Sequence, residues 1–157
     1  MAKAPIRVYA DTSVFGGVFD AEFADASKRF FELVRQGRFH LVLSPVVRRE
    51  LDAAPEKVRA ILLAAEKMAE HSQLTPAALR LQNAYLGAGI ISDRFSDDAL
   101  HVAMATVSHC AMIVSWNFKH IVHFERIPLY NAVNVKEGFS PLGIYSPREV
   151  IENEDES

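Results

Sequence analysis

Short apolar runs that end in polar residues recur along the chain, and amphipathic stretches lie between them. Arg7-Val8-Tyr9-Ala10 is the first run, followed at once by Asp11-Thr12-Ser13 and then Gly16-Gly17. A run of this length reads as a buried strand that delivers a carboxylate and two hydroxyls into the turn beyond it. Phe39-His40-Leu41-Val42-Leu43 predicts a second strand, Ala111-Met112-Ile113-Val114-Ser115 a third and Leu142-Gly143-Ile144-Tyr145 a fourth. Residues 20–37 carry Phe23, Phe30, Phe31, Leu33 and Val34 among charges, which predicts an amphipathic helix stopping at Gly37. Ser44-Pro45 predicts an N-cap with proline at the first helical position, and Glu50 then lies about one and a half turns into that helix. After Pro55, Val58, Ile61, Leu62, Ala65, Met68 and Ala69 recur at spacings of three and four. Thr75-Pro76 opens another helix, closed by Gly87-Ala88-Gly89; Ser96 is expected to cap an almost wholly apolar helix through Ala105, and residues 128–134 predict one more.

Strands alternating with helices predict a parallel α/β sandwich with right-handed crossovers. The 157 residues suit one domain, expected over residues 1–150, with residues 151–157 as an acidic, solvated tail. The net charge of −3 is concentrated in that end, where Glu149, Glu152, Glu154, Asp155 and Glu156 fall. Removing these five from 20 acids leaves 15 against 17 Lys and Arg, so the body is mildly basic and can meet a polyanion. No apolar run approaches the roughly 18 residues that cross a bilayer, and no apolar signal region precedes the first strand. A cytoplasmic location without membrane contact is therefore expected. Cys110 stands alone in an apolar neighbourhood, which excludes a disulfide framework or thiolate metal site and leaves a small buried hydrophobe.

The polar residues then converge. Asp11 and Ser115 fall at strand ends, while Glu50 and Asp98 fall near helix starts on the same side of the sheet. Three carboxylates with hydroxyls, the Asn117 amide and no cysteine make an oxygen-rich set of the kind that Mg²⁺ or Mn²⁺ takes. Such an ion activates water and neutralises charge on a phosphate in transit. Plainer roles exist for each acid: Asp11 as a helix cap, Asp97 and Asp98 as first-turn charges that suit the helix dipole. His101, one turn after Asp98, either orients a carboxylate or phosphate or is hydrogen-bonded core. Arg48, Arg49, Lys119 and His120 are the candidate phosphate contacts, and Trp116 either stacks on a base or packs with Val114 and Phe118.

Asp11-Thr12-Ser13 ending the first strand, Glu50-Leu51 on the helix after Ser44, and Asp98-Ala99-Leu100-His101-Val102-Ala103 resemble the three acidic motifs of PIN-domain ribonucleases. The nearest resemblance is to VapC-like toxins of type II toxin–antitoxin pairs, and it runs from Val8 to about Val150. It implies a three-layer α/β/α sandwich with a five-stranded parallel sheet, cleavage of RNA dependent on Mg²⁺ or Mn²⁺, a small antitoxin partner and a homodimer. Asp11, Glu50 and Asp98 would then be the metal-binding, catalytic acids, with Thr12 or Ser13 assisting and Ser115 and Asn117 supporting. One departure matters: many members carry a fourth acid where this chain has Asn117, which can ligate but brings no charge, so a second metal is in doubt. The alternative on the same fold is a catalytically weak or silent module that binds RNA or a protein partner. A phosphatase with Asp11 as nucleophile fares worse, because Ser13 stands where the haloacid-dehalogenase pattern needs a second aspartate.

Overall fold

A computed structural model of the chain describes residues 4–156. Five strands, β1 (Ile6–Ala10), β2 (Phe39–Leu43), β3 (Glu70–His71), β4 (Met112–Val114) and β5 (Gly143–Tyr145), form one sheet in the order β3-β2-β1-β4-β5. Every neighbouring pair is parallel. The helices are α1 (Thr12–Gly17), α2 (Ala24–Arg35), α3 (Pro45–Leu51), α4 (Glu56–Glu66), α5 (Pro76–Gly87), α6 (Ser96–Val107), α7 (Ile127–Lys136) and α8 (Pro147–Glu156). In β1 three consecutive residues, Val8, Tyr9 and Ala10, are fully buried. Successive strand side chains point to opposite faces, so helices cover both sides of the sheet.

The strand order positions the site. From β1 the chain steps outward to β2 and β3, then returns across β1 to β4 and β5, so the winding reverses between β1 and β4. Ligand crevices in parallel sheets open beyond the carboxyl ends of the strands at such a reversal. Ala10 pairs with Val114 there, and the Asp11 amide donates to the Val114 carbonyl at 3.2 Å. Asp11 and Ser115 thus emerge side by side.

Several local expectations are revised. The first predicted helix starts at Ala24, because turns at Asp20, which accepts from the Phe23 and Ala24 amides, occupy the residues before it. Gly37 closes it with φ of +79°, a conformation that favours glycine. Ser44 takes the N-cap position of α3 without capping it, since its hydroxyl lies 2.6 Å from the Tyr9 hydroxyl instead. Ser96 is inside α6 and caps nothing; a 3-10 turn over Asp93–Phe95 feeds that helix directly. The acidic end is not a free tail. Ser146-Pro147 starts α8, which packs on α2, and Arg29 and Arg38 on the body neutralise Asp155 and Glu154. Cys110 is buried as expected, and burial pushes its thiol up to about 12.

Gly17 ends α1 under Trp116. A Cβ there would lie 2.6 Å from Ser27 Oγ and 2.8 Å from Trp116 Nε1, so only glycine lets these two side chains hydrogen bond, as they do at 2.8 Å. Trp116 also stacks on Phe23 with ring centroids 4.1 Å apart. Its place is packing. Among the described residues, no helix is long and apolar enough to cross a membrane.

Candidate functional site

Asp11 closes β1 and caps α1, its Oδ1 accepting from the Ser13 amide at 3.1 Å and the Ser13 hydroxyl at 2.6 Å. Its Oδ2 accepts from the Ser115 hydroxyl at 2.7 Å. Both hydroxyls are themselves oriented: Ser13 Oγ accepts from the Trp116 amide at 2.8 Å, and Ser115 Oγ from the Asn117 amide at 2.9 Å. The turns after β1 and β4 therefore grip one carboxylate that is only 4 % exposed. Burial pushes this carboxyl above its usual range, against the opposing pull of His101 and of the two serine hydroxyls. No Lys or Arg forms an ion pair with it among the described residues.

Glu50, half-buried on α3, accepts at Oε1 from the Thr12 hydroxyl at 3.0 Å and from His101 Nε2. His101, on α6, is 1 % exposed, and its Nδ1 lies 2.7 Å from the Tyr9 hydroxyl. Burial alone would lower this imidazole, but the Glu50 hydrogen bond and the charges of Asp11, Glu50 and Asp98 reverse the sign and hold it above its ordinary value. For Glu50 burial opposes ionisation, and the bond and charge of His101, with Thr12, outweigh it, so the carboxyl is lowered. As an imidazolium, His101 donates to Glu50 at one nitrogen and to Tyr9 at the other.

Asp98 Oδ2 meets His120 Nδ1 at 3.0 Å, whereas Asp97 turns to Arg49 at 2.9 Å on the exposed side of the helix. The adjacent aspartates thus face different partners, as a 100° step per residue requires. His120 is buried, so this candidate phosphate contact points at an acid of the site. Arg48 is engaged with Glu66 at 2.8 Å, away from the three acids' own partners. Lys119 is exposed, with its ammonium 5.9 Å from the Phe95 ring centroid. Asn117 Oδ1 accepts from the Lys119 and His120 amides at 3.2 and 2.9 Å, which closes the turn after Ser115.

Of the three acids only Glu50 bonds His101 directly, while the charges of Asp11 and Asp98 also favour its ionised form. Among the described residues, no group of three or more His, Cys, Asp or Glu side chains forms a cluster that could hold a metal ion. The carboxylates of Asp11, Glu50 and Asp98 are hard oxygen donors of the kind such a cation takes, and Asp11 is held by serine hydroxyls with no Lys or Arg partner among the described residues. Glu50 Oε2 and Asp98 Oδ1 take no part in the described hydrogen bonds. Tyr9, Phe95 and Arg94 also border this group, and nothing in their sequence spacing marks them; only the fold brings Tyr9 to His101 and Phe95 to His120.

No family model and no curated relative matches the sequence. In fold, the chain is similar to a chain in the crystal structure of VapBC2 from Rickettsia felis bound to a DNA fragment from their promoter. The TM-score is 0.57 at 18% sequence identity, over 78% of this chain and 94% of that one. At this identity the likeness is one of fold, and it supports the α/β architecture with a five-stranded parallel sheet.

Proposed function

We propose that this protein is a divalent-metal-dependent endoribonuclease, the toxin of a type II toxin–antitoxin pair. The observation that supports the reading is Asp11 at the sheet's point of reversal, with Glu50 bonded to Thr12 in the turn after it and Asp98 on α6 held by His120. Likeness in fold to a chain of the VapBC2 complex supports the toxin–antitoxin part of this reading and an antitoxin partner. Asp11, Glu50 and Asp98 would hold Mg²⁺ or Mn²⁺, which when bound supplies charge neutralisation for a phosphodiester and lowers the pKa of a water. The chain's own part is positional. Ser13 and Ser115 fix both oxygens of Asp11, and His101 and His120 hold Glu50 and Asp98.

Purified protein should cleave RNA with Mn²⁺ or Mg²⁺ and stop on addition of EDTA, and Asp11→Asn should be inactive. Wild-type activity in that variant would overturn the assignment. Coexpression with the product of a small reading frame immediately upstream tests the antitoxin: a stable complex that blocks cleavage is expected.

Asn117 favours a second reading, a module on the same fold that binds RNA or a protein without cutting. It is neutral, and its amide oxygen is already occupied by two backbone donors. RNA binding that persists in EDTA, with no cleavage under any divalent ion, would establish this reading over the first.

A further inference from the structure

Tyr9 is fully buried in β1, yet its hydroxyl lies 2.6 Å from Ser44 Oγ and 2.7 Å from His101 Nδ1. A buried hydroxyl is costly unless it is bonded, and a phenylalanine would fill the same space without that demand. On its other side the imidazole gives Nε2 to Glu50 Oε1, which also accepts from the Thr12 hydroxyl at 3.0 Å. Ser44, Tyr9, His101, Glu50 and Thr12 thus form one chain of hydrogen bonds, drawn from the end of β2, β1, α6, α3 and α1. Among the described hydrogen bonds, Tyr9 is the one partner of His101 Nδ1. An imidazole free at Nδ1 can carry its proton on either nitrogen or turn over about its Cβ–Cγ bond, and either change takes the donor away from Glu50. The two hydroxyls prevent both. With a proton on Nδ1, the imidazole donates to Tyr9 and Tyr9 to Ser44; without one, Ser44 donates to Tyr9 and Tyr9 to Nδ1, which obliges the remaining proton to sit on Nε2. Glu50 keeps its donor in both arrangements.

We propose that Tyr9, backed by Ser44, is a positioning residue for Glu50 that acts through His101: it fixes the imidazole with Nε2–H on Glu50 Oε1 and leaves Oε2 for the ion. The proposal rests on the endoribonuclease reading, to which that ion belongs. Tyr9 is fully buried, so it meets no substrate and acts by orientation alone. Hydrogen bonds one step out from a metal-holding group typically change its affinity or activity by about 10–100-fold. Tyr9 stands one residue further out, behind His101, so a loss at the lower end of that range, about tenfold, is expected. The plainer role, a tyrosine whose hydroxyl only stabilises the core, predicts a less stable protein with an unaltered imidazole and unaltered ion affinity.

Tyr9→Phe keeps the ring and removes the hydroxyl. Tyr85→Phe is the matched control, since Tyr85 is also fully buried but its hydroxyl bonds Thr106 on α6 and Asn134 on α7. Long-range nitrogen–proton NMR of the metal-free, isotope-labelled protein reads the imidazole directly, with His101 assigned by the signals missing in His101→Gln. Wild type should show His101 in one form with a proton held on Nε2, Tyr9→Phe a mixture of ring forms, and Tyr85→Phe the wild-type pattern. Titration calorimetry with Mn²⁺ should give about tenfold weaker binding in Tyr9→Phe and wild-type binding in Tyr85→Phe. In RNA cleavage at limiting Mn²⁺, Tyr9→Phe should lower kcat with KM for RNA unchanged, and the loss should recover as Mn²⁺ is raised, which a merely loosened fold would not do. A mixture of His101 forms in wild type, an unaltered His101 in Tyr9→Phe, or an equal loss of ion affinity in both tyrosine variants would overturn the proposal. The wild-type spectrum decides even where Tyr9→Phe does not fold, because one fixed form is required there. Cleavage by wild type with equal Mn²⁺ affinity in Tyr9→Phe would sink the positioning role and keep the nuclease; ion binding that depends on Tyr9, without cleavage of RNA, would do the reverse.

Discussion

His101 and Glu50 meet across α6 and α3, the imidazole donating to the carboxylate while its other nitrogen faces the Tyr9 hydroxyl at 2.7 Å. The two ionisations support each other, Glu50 lowered and His101 raised from their ordinary values of 4.5 and 6.5. A lowered carboxyl contributes stability above its unfolded pKa and loses it as pH falls through the folded value. A raised imidazole contributes below its unfolded pKa and loses it as pH rises through the folded value. Both contributions are therefore whole between about pH 4.5 and 6.5. Thermal unfolding in EDTA should show the pair's stabilisation in that window and its decline at higher pH. His101→Gln should flatten the alkaline decline; an unchanged profile in that variant would show that the pair does not titrate as the geometry requires.

Asp11 sets function against stability. Burial raises its carboxyl, so its charge opposes folding at neutral pH. Asn at this position still caps α1 through its carbonyl oxygen, and its amide can donate to Ser115 Oγ. Asp11→Asn should therefore abolish cleavage and raise the melting temperature. A lower melting temperature by calorimetry would mean that the serine hydroxyls need the charge.

Asp97 and Asp98 separate cleanly by partner. Asp97 pairs with Arg49 where both side chains are more than half exposed, and such pairs contribute about 0–1 kcal/mol. Asp98 is mostly buried against His120. Asp98→Asn should lose divalent-ion affinity and at least about tenfold in activity, a loss of roughly 1.4 kcal/mol or more in transition-state binding, while Asp97→Asn stays near wild type. The reverse pattern would move the site to the other face of α6.

The apolar runs made β1, β2, β4 and β5 legible, because a strand buried on both faces needs an unbroken run of apolar residues. β3 left no such trace. Glu70 and His71 are both exposed, and what holds that edge is pairing with Val42 and Leu43 and the two-pronged contact of Arg7 with Glu70 at 2.8 and 2.9 Å. The acids themselves stood out by spacing and by resemblance to a known family. Their immediate partners did not: Tyr9 joins Ser44 and His101 from 35 and 92 residues away, which no local pattern records. Charge count misled at the end of the chain, where Arg29 and Arg38 turn an acidic stretch into a packed helix.

Asn117 decides how many ions the site can hold. Asp11, Glu50 and Asp98 bring three negative charges, which neutralise one divalent cation with one charge to spare and leave two such ions with net positive charge. A second ion would then come mainly with an RNA phosphate that supplies the missing charge. Asn117→Asp keeps an oxygen for the Lys119 and His120 amides, so the turn should survive, and it adds one charge beside the set. Titration calorimetry without RNA should give one ion per site in wild type and tighter binding in Asn117→Asp, by a modest factor because this position is partly solvated. Asn117→Ala removes the acceptor and should instead cost about 1 kcal/mol of stability with no gain in ion affinity. Two ions per site in wild type without nucleic acid, or an unchanged affinity in Asn117→Asp, would place Asn117 outside the reach of the metal and leave it with the turn alone.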